Sequence, residues 1–482
     1  MAERHTDRLA AYAAAFEFAQ LPPEATLAAK IIVLDTLGAL LLGSLPKYSA
    51  SRLTGDLART LGGVPECTVI GRGFKTSVAN AALANGVMGY AADIEGGGVW
   101  RQHAAAVLVP AALTVAERER ADGRRLIGAL ALGYDVAARI DRACDPKTPY
   151  PHSFHPSAVF GHFGAAAAAG HLLALDQTQF VNALGLAGVN AGGLIAWVND
   201  PTEDSRPYVI GMAAHCGVLA ALLAKMGMGG PLGIADDGKY TIYDAFSGAM
   251  HLEEVTRDLG EVFWITRHGG FKRYPCCGDI HSGIDALLSI VAKHALRPEE
   301  IEEIVHRVHP ARVAVIDDNP LKSHCAQYIM AVAAVRCAID SDTVLTDLRL
   351  TDPAVCDLAA RVRLIGDPAI EVLGAGSATV EVRTRDGRTF RETVMPAHPR
   401  PESAQAPDRR PLATGESPSE GPAREAQPLT RAELEEKFLQ LAALRISRER
   451  AERLLALINA LEELDDTARL MGLLAVPEED AR

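Results

Sequence analysis

The stretch Phe154-His155-Pro156-Ser157-Ala158-Val159-Phe160-Gly161-His162-Phe163-Gly164-Ala165-Ala166-Ala167-Ala168-Ala169-Gly170-His171-Leu172-Leu173-Ala174-Leu175 is mostly Ala and Gly once Pro156 is passed. Alanine is the strongest helix former, and side chains this small let helix axes approach closely. The stretch therefore reads as a buried helix, interrupted only by His162 and His171. The same texture recurs in Ser77–Ala92, Ala104–Arg118, Arg124–Ala143 and Met212–Leu223. From Thr6 to about Tyr243 nearly every segment reads as helix, with Cys67–Ile70 as a candidate short strand.

Beyond about Phe263 the pattern changes. Ile304–Val308 and Val362–Ile365 look like strands. Ala378–Thr384 and Arg388–Val394 alternate apolar with polar residues around Asp386-Gly387, a strong hairpin signal. Helical patterns at Ser282–His294 and Ala326–Ile339 lie between them, which predicts helices covering a small antiparallel sheet. Ala397–Pro428 then holds seven prolines in 32 residues and a single large aliphatic side chain, Leu412. Such a segment cannot bury enough surface to offset its ordering entropy and reads as a disordered linker. Helix resumes at Thr430, where Thr430-Arg431-Ala432-Glu433 is a capping box; a second helix follows over about Ser447–Leu461, with Ser447 as its N-cap. The expected architecture is mainly α with an α+β second domain. An all-helical domain covers 1–265, a smaller α+β domain 266–396 and the linker 397–428; C-terminal helices over 429–482 pack back on the helical body.

At 482 residues the chain has length for two or three domains. Aromatic residues make up only 5%, so the core must come from Ala, Leu, Val and Ile, which favours packed helices over a large β-sandwich. A net charge of −13 with no basic run argues against nucleic acid. It leaves an anionic ligand open, because a few cations inside a cleft dominate the local field. Met1–Asp7 is polar and lacks the apolar core of a signal peptide. Ile31–Leu45 carries Asp35 and is too short for a membrane span, so no membrane association is expected. Eight cysteines without framework spacing fit reduced thiols in a cytoplasm.

Neither a Walker-type loop nor a Gly-x-Ser-x-Gly elbow is present, which removes nucleotide binding and serine hydrolysis. Five stretches carry side chains suited to other chemistry. Ala92-Asp93-Ile94-Glu95-Gly96-Gly97-Gly98-Val99-Trp100-Arg101-Gln102-His103 ends one helix and puts His103 just before the next, where unsatisfied N–H groups favour an anion. Solvated loop polars are the plainer reading. Pro151-His152-Ser153-Phe154-His155-Pro156-Ser157 repeats the device with His155. Zinc held by His152, His155 and His162 would need a His-Glu-x-x-His pattern or a matching Cys set, and neither is there. Asp204-Ser205-Arg206-Pro207 sets Arg206 at a helix start. Phe271-Lys272-Arg273-Tyr274-Pro275-Cys276-Cys277-Gly278-Asp279-Ile280-His281 brings two cations and a His to the entrance of the α+β domain. Ser323-His324-Cys325-Ala326-Gln327-Tyr328 begins a buried helix with an acid-capable phenol. Histidine acids or bases, an aspartate and several cations are the set needed to move a proton beside a carboxylate, because the carbanion delocalises into the carboxylate and must be neutralised.

In order, spacing and flanking residues these stretches resemble the MmgE/PrpD family from about Leu9 to Val394, with a weaker echo in Leu429–Leu441. The likeness is most specific at His103 before Pro110-Ala111-Ala112 and at Phe154-His155-Pro156 before Gly161-x-x-Gly164-Ala165-Ala166. Ile210-Gly211-x-Ala213-Ala214 and Phe271-Lys272-x-x-Pro275 add to it. The resemblance implies a large helical domain with a smaller α+β lid, as a homodimer, and no cofactor or metal. It places the family's active-site Asp on Asp93 and its two active-site His on His103 and His155. Substrate-binding lysines fall on Arg206 and Lys272, the site tyrosine on Tyr328, and a looser match on His281. The chain departs from the family's dehydratases and decarboxylases at Ile94-Glu95-Gly96-Gly97, where Phe, acidic or amide residues and Thr are usual.

The function expected from these residues is a cofactor-independent lyase on a small polycarboxylic acid, of the 2-methylcitrate dehydratase kind. His103 or His155 would move the proton, Asp93 would orient its histidine, and Tyr328 would protonate a leaving hydroxyl. Arg206, Lys272, Arg101 and Arg273, with His281, would hold carboxylates. An epimerase, isomerase or decarboxylase of a related acid, and a non-catalytic polycarboxylate-binding relative, are the alternatives.

Overall fold

The computed structural model describes residues 4–145, 152–374, 376–396 and 424–476. The chain divides into two compact units, Met1–His268 with Thr430–Arg482, and Gly269–Leu429. The first is built from α1 (His5–Ala14), α2 (Pro23–Gly43), α3 (Ser49–Leu61), α4 (Val78–Ala91), α5 (Ala104–Glu119), α6 (Gly123–Arg142), α7 (Pro156–Leu172), α8 (Gln177–Asn190) and α9 (Ser205–Lys225). A two-stranded hairpin, β1 (Cys67–Thr68) with β2 (Lys75–Thr76), is added between α3 and α4.

Small residues set the helix spacing. A methyl group at Gly164 of α7 would come within 2.9 Å of Ala137 Cβ and the Gly133 carbonyl oxygen on α6. One at Gly86 of α4 would lie 2.8 Å from Gly211 Cα on α9. The backbones approach so closely that only hydrogen fits, and α5, α6 and α7 are buried along nearly their whole lengths. Helix α2 is longer than its most apolar stretch implied, 21 residues; it and α9 are long and apolar enough to cross a membrane, and most of α2 lies inside the helical body. Helical structure stops earlier than expected after α9. The following segment contains Gly227, Gly229, Gly230, Pro231, Gly233 and Gly238, three of them at positive φ, and a Gly-rich run with proline does not hold a helix.

C-terminal helices complete this unit. Thr430 Oγ1 accepts from Glu433 N–H at 3.3 Å while Glu433 Oε2 accepts from Thr430 N–H at 2.8 Å, the reciprocal capping box. The helix it starts, Arg431–Ala442, packs on α2 with Leu434, Phe438 and Leu439 buried. Ser447 caps the next helix, Arg448–Asn459, by accepting from Arg450 N–H at 3.3 Å.

In the second unit a five-stranded sheet has the order β4-β3-β5-β6-β7, from β3 (Ile301–Val308), β4 (Val362–Gly366), β5 (Ala378–Thr384), β6 (Thr389–Met395) and β7 (Arg424–Glu425). The helices Gly278–His294 and Ala326–Arg336 pack on it through Ile280, Ile284, Leu287 and Ile329. The sheet is mixed, not antiparallel as expected: β3 and β4 run parallel, as do β6 and β7. The long helical crossover between β3 and β4 brings the chain back in the same direction, which a hairpin cannot do. The β5–β6 hairpin turns at Asp386-Gly387, with Gly387 at φ +87°. Residues 397–423 of the expected linker lie outside the described residues; its end does not read as linker, because Arg424 pairs with Val394 and its guanidinium bonds Glu392.

Candidate active site

Two changes of chain direction build the site. Helix α4 ends at Ala91, and Asp93 turns the chain with a left-handed φ of +52°. Val99 and Gln102 then pair across a tight turn, each N–H donating to the other's carbonyl, at 3.0 and 2.9 Å. The turn delivers His103 to the N-cap of α5, where its backbone N–H donates to Ser157 Oγ at 2.7 Å. Ser157 is the second residue of α7, so one bond ties the two helix starts together. His155 is the N-cap of α7, and its N–H donates to the Gly193 carbonyl at 2.9 Å. Neither imidazole caps its own helix, so both rings point elsewhere.

They point toward each other. The His103 and His155 rings stack with centroids 6.1 Å apart and planes 28° from parallel. Tyr90, in the last turn of α4, meets them edge-on at 5.0 and 6.4 Å. Trp197 meets His155 at 5.9 Å from the short turn Ile195–Asn199. The second residue of α9, Arg206, lays its guanidinium 4.8 Å from the Tyr90 ring centroid, with Nη1 3.4 Å from Asp93 Oδ1 and Nη2 3.9 Å from Glu203 Oε2. Arg206 is only 1% exposed. Burial alone would lower its pKa, but Asp93, Tyr90, Glu203 and Glu95 outweigh burial and hold it above the usual arginine value. This cation does not exchange its proton.

The carboxylate on His103 is Glu95, whose Oε1 accepts from Nδ1 at 3.1 Å. Its side chain is fully enclosed, whereas that of His103 is 33% exposed. With Glu95 ionised, the bond requires the Nδ1–H tautomer and leaves Nε2 to take up or deliver a proton. A buried carboxylate, an accessible imidazole and a second imidazole beside it form an acid–base pair of the kind that proton transfer at carbon needs.

Of the residues singled out from sequence, Asp93, His103, His155 and Arg206 come together here. Glu95 is the carboxylate bonded to His103, and Asp93 faces Arg206. Arg101 is diverted from the cluster. Its guanidinium forms a buried ion pair with Asp141 and donates to the Asp145 carbonyl at 3.2 Å, which satisfies it within the protein. Lys272, Arg273, His281 and Tyr328 belong to the second unit. Lys272 is half-buried and Arg273 exposed, in the segment before the Gly278–His294 helix. His281 packs edge-on against Tyr274 at 5.3 Å, with Nε2 3.3 Å from the Cys276 carbonyl oxygen. The Tyr328 hydroxyl faces the carbonyls of Thr343, at 2.5 Å, and Thr346, and burial pushes its pKa up to about 12. His162 is a core residue: its Nδ1 meets the Ala158 carbonyl and burial pushes its pKa down to about 4. Among the described residues no three His, Cys, Asp or Glu side chains gather as metal ligands. Sequence reasoning passed over Tyr90 and Trp197 and gave Glu95 no role. The available signals were a lone large aromatic ending a small-residue helix and a second acid two residues beyond Asp93.

A helical body that brings two helix-start histidines and a buried carboxylate together offers the groups that acid–base chemistry uses. The chain belongs to the MmgE/PrpD family, matching the MmgE/PrpD N-terminal domain over residues 7–254 and the MmgE/PrpD C-terminal domain over 274–407. Among its relatives is the cis-aconitate decarboxylase of Homo sapiens, 26% identical over 474 residues that cover 93% of this chain and 90% of that protein. The cis-aconitate decarboxylase of Aspergillus terreus is 24% identical over 486 residues, 95% of this chain and 93% of that protein. These similarities support an enzyme of lyase type.

Proposed function

We propose that this protein is a cofactor-independent lyase that removes CO2 from a small unsaturated polycarboxylate of the cis-aconitate kind. The observation that carries the reading is the Glu95–His103 pair stacked beside His155. In the proposed step the C–CO2⁻ bond breaks and CO2 departs. The electron pair left behind delocalises into the neighbouring unsaturated carboxylate and is quenched by one proton from an imidazolium, His103 or His155. Glu95 holds the His103 ring through Nδ1, and Tyr90 and Trp197 wall the site with apolar surface. The relatives with curated activities favour decarboxylation over the dehydration expected from sequence. So does Tyr328. A dehydratase needs an acid for the departing hydroxyl, and the phenol expected to serve already faces two backbone carbonyls.

Turnover of cis-aconitate in D2O, followed by NMR with CO2 capture, tests this. One deuterium per CO2 released is the expected result. Deuterium exchange without loss of a fragment would replace the reading with an epimerase or isomerase. Loss of water alone from 2-methylcitrate, with cis-aconitate untouched, would restore the dehydratase.

A further inference from the structure

Glu95 lies in Ile94-Glu95-Gly96-Gly97-Gly98, and glycine gives the backbone on its C-terminal side wide conformational freedom. Side chains from three helices restrict it. Asp35 of α2 accepts from Gly96 N–H at 2.7 Å. Tyr134 of α6 donates to the Gly97 carbonyl at 2.5 Å. Lys437, in the C-terminal helix Arg431–Ala442, donates to the Ile94 carbonyl at 2.9 Å and to Asp35 Oδ1 at 2.6 Å. The Lys437–Asp35 pair therefore grips the backbone on both sides of Glu95. It is enclosed, with side chains 13% and 1% exposed. Burying a charge without a partner is costly, and the partner of Asp35 comes from the C-terminal helix. Docking of the helix rests elsewhere, on Leu434, Phe438 and Leu439, and Phe438 and Leu441 cover Gly38 of α2.

We infer that Lys437 is a positioning residue for the reaction: through Asp35 and the Ile94–Gly96 backbone it holds Glu95 in register with His103. The inference rests on the acid–base reading of Glu95 and His103. Lys437→Met keeps the stem and removes the charge, whereas Lys437→Arg keeps the charge. With cis-aconitate as substrate, Lys437→Met should lower kcat about tenfold or more at nearly constant KM, because small misplacements of catalytic groups carry penalties of this order. Lys437→Arg should recover most of the loss. In a Glu95→Gln background the penalty of Lys437→Met should disappear, since the residue acts only through Glu95; an equal penalty in both backgrounds would overturn the inference.

A second readout needs no turnover. Hydrogen exchange measured by mass spectrometry should rise in peptides covering residues 93–98 of Lys437→Met, with peptides from α5 and α7 unchanged. Asp35→Asn should give the same confined rise, and is the variant to use if Lys437→Met folds poorly. Unchanged exchange in that loop overturns the inference whether or not the wild type turns over cis-aconitate. A confined rise with an inactive wild type sustains the positioning role and counts against the acid–base reading instead.

Discussion

Helix α7 holds three histidines under two regimes. His155, at its start, has a ring directed away from its own helix and stacked on His103. His162, inside it, is as buried as His155 and meets the Ala158 carbonyl, while His171, in the last turn, is half-buried and packs edge-on against Phe16 at 5.8 Å. Burial holds both interior pKa values down at about 4. The interior of α7 is packed on all sides by α5, α6, α8 and α9, whereas its first turn opens onto loops from α4 and α8. On the proposed function, the same residue type serves as an acid–base group at one end of a helix and as neutral packing material a few turns on. Position relative to the helix start decides which.

The sharpest way to break this contrast is to replace histidines from each region. His103→Asn and His155→Asn should each lower kcat by roughly 10²–10⁴-fold, the usual contribution of a general acid or base, with thermal midpoints close to wild type. His162→Asn should do the opposite, leaving kcat within a few-fold and costing about 1–3 kcal/mol of stability, the range for disturbing a buried polar contact. Denaturant melts paired with initial rates would read both. If His162→Asn lost as much rate as His155→Asn, the division of α7 into two regimes would fail.

Stability against pH sharpens the interior half. A histidine kept neutral in the folded state, near 4, but titrating near 6.5 when unfolded binds more protons in the unfolded chain between those values. Its contribution is therefore fully present above pH 6.5 and is lost as the pH falls toward 4. Each such group should account for about 3 kcal/mol over that window. Urea melts from pH 7 to pH 4 should show a shallower decline in His171→Gln than in wild type. Parallel curves would mean that His171 takes up its proton as readily in the folded protein as in the unfolded chain.

How far these features could be read from the sequence depends on whether their cause is local. Ala and Gly texture marked the close-packed helices, and the Thr430 and Ser447 caps marked two starts, because composition and capping act within a few residues. A histidine just before a small-residue helix was likewise visible at positions 103 and 155. The parallel pairing of β3 with β4 was not, since strand direction depends on how a long crossover returns. Glu95 escaped for a similar reason: which acid of this loop reaches His103 depends on how the backbone between α4 and α5 folds, and that backbone is bonded by Asp35, Tyr134 and Lys437, far away in sequence. Arg206 was recognised as part of the site, but its near-complete burial against Asp93 and Tyr90 arises from helices far apart in sequence.

That burial changes what Arg206 is expected to do. Read as a loop cation it would clamp a substrate carboxylate, and restoring lysine would raise KM for substrates bearing that group. In the fold its guanidinium lies against Tyr90 within ion-pair range of Asp93 and Glu203, an arrangement that ties the start of α9 to the end of α4. Lysine at this position keeps the charge but loses the flat face that lies against Tyr90 and the fork that reaches two carboxylates at once. Arg206→Lys should therefore cost about 1–2 kcal/mol of stability and lower kcat a few-fold, with KM nearly unchanged on every substrate. A rise in KM confined to substrates carrying one particular carboxylate would return Arg206 to the role of clamp. It would also mean that the Asp93 contact opens when substrate binds, making the start of α9 the mobile side of the site and the starts of α5 and α7 its fixed side.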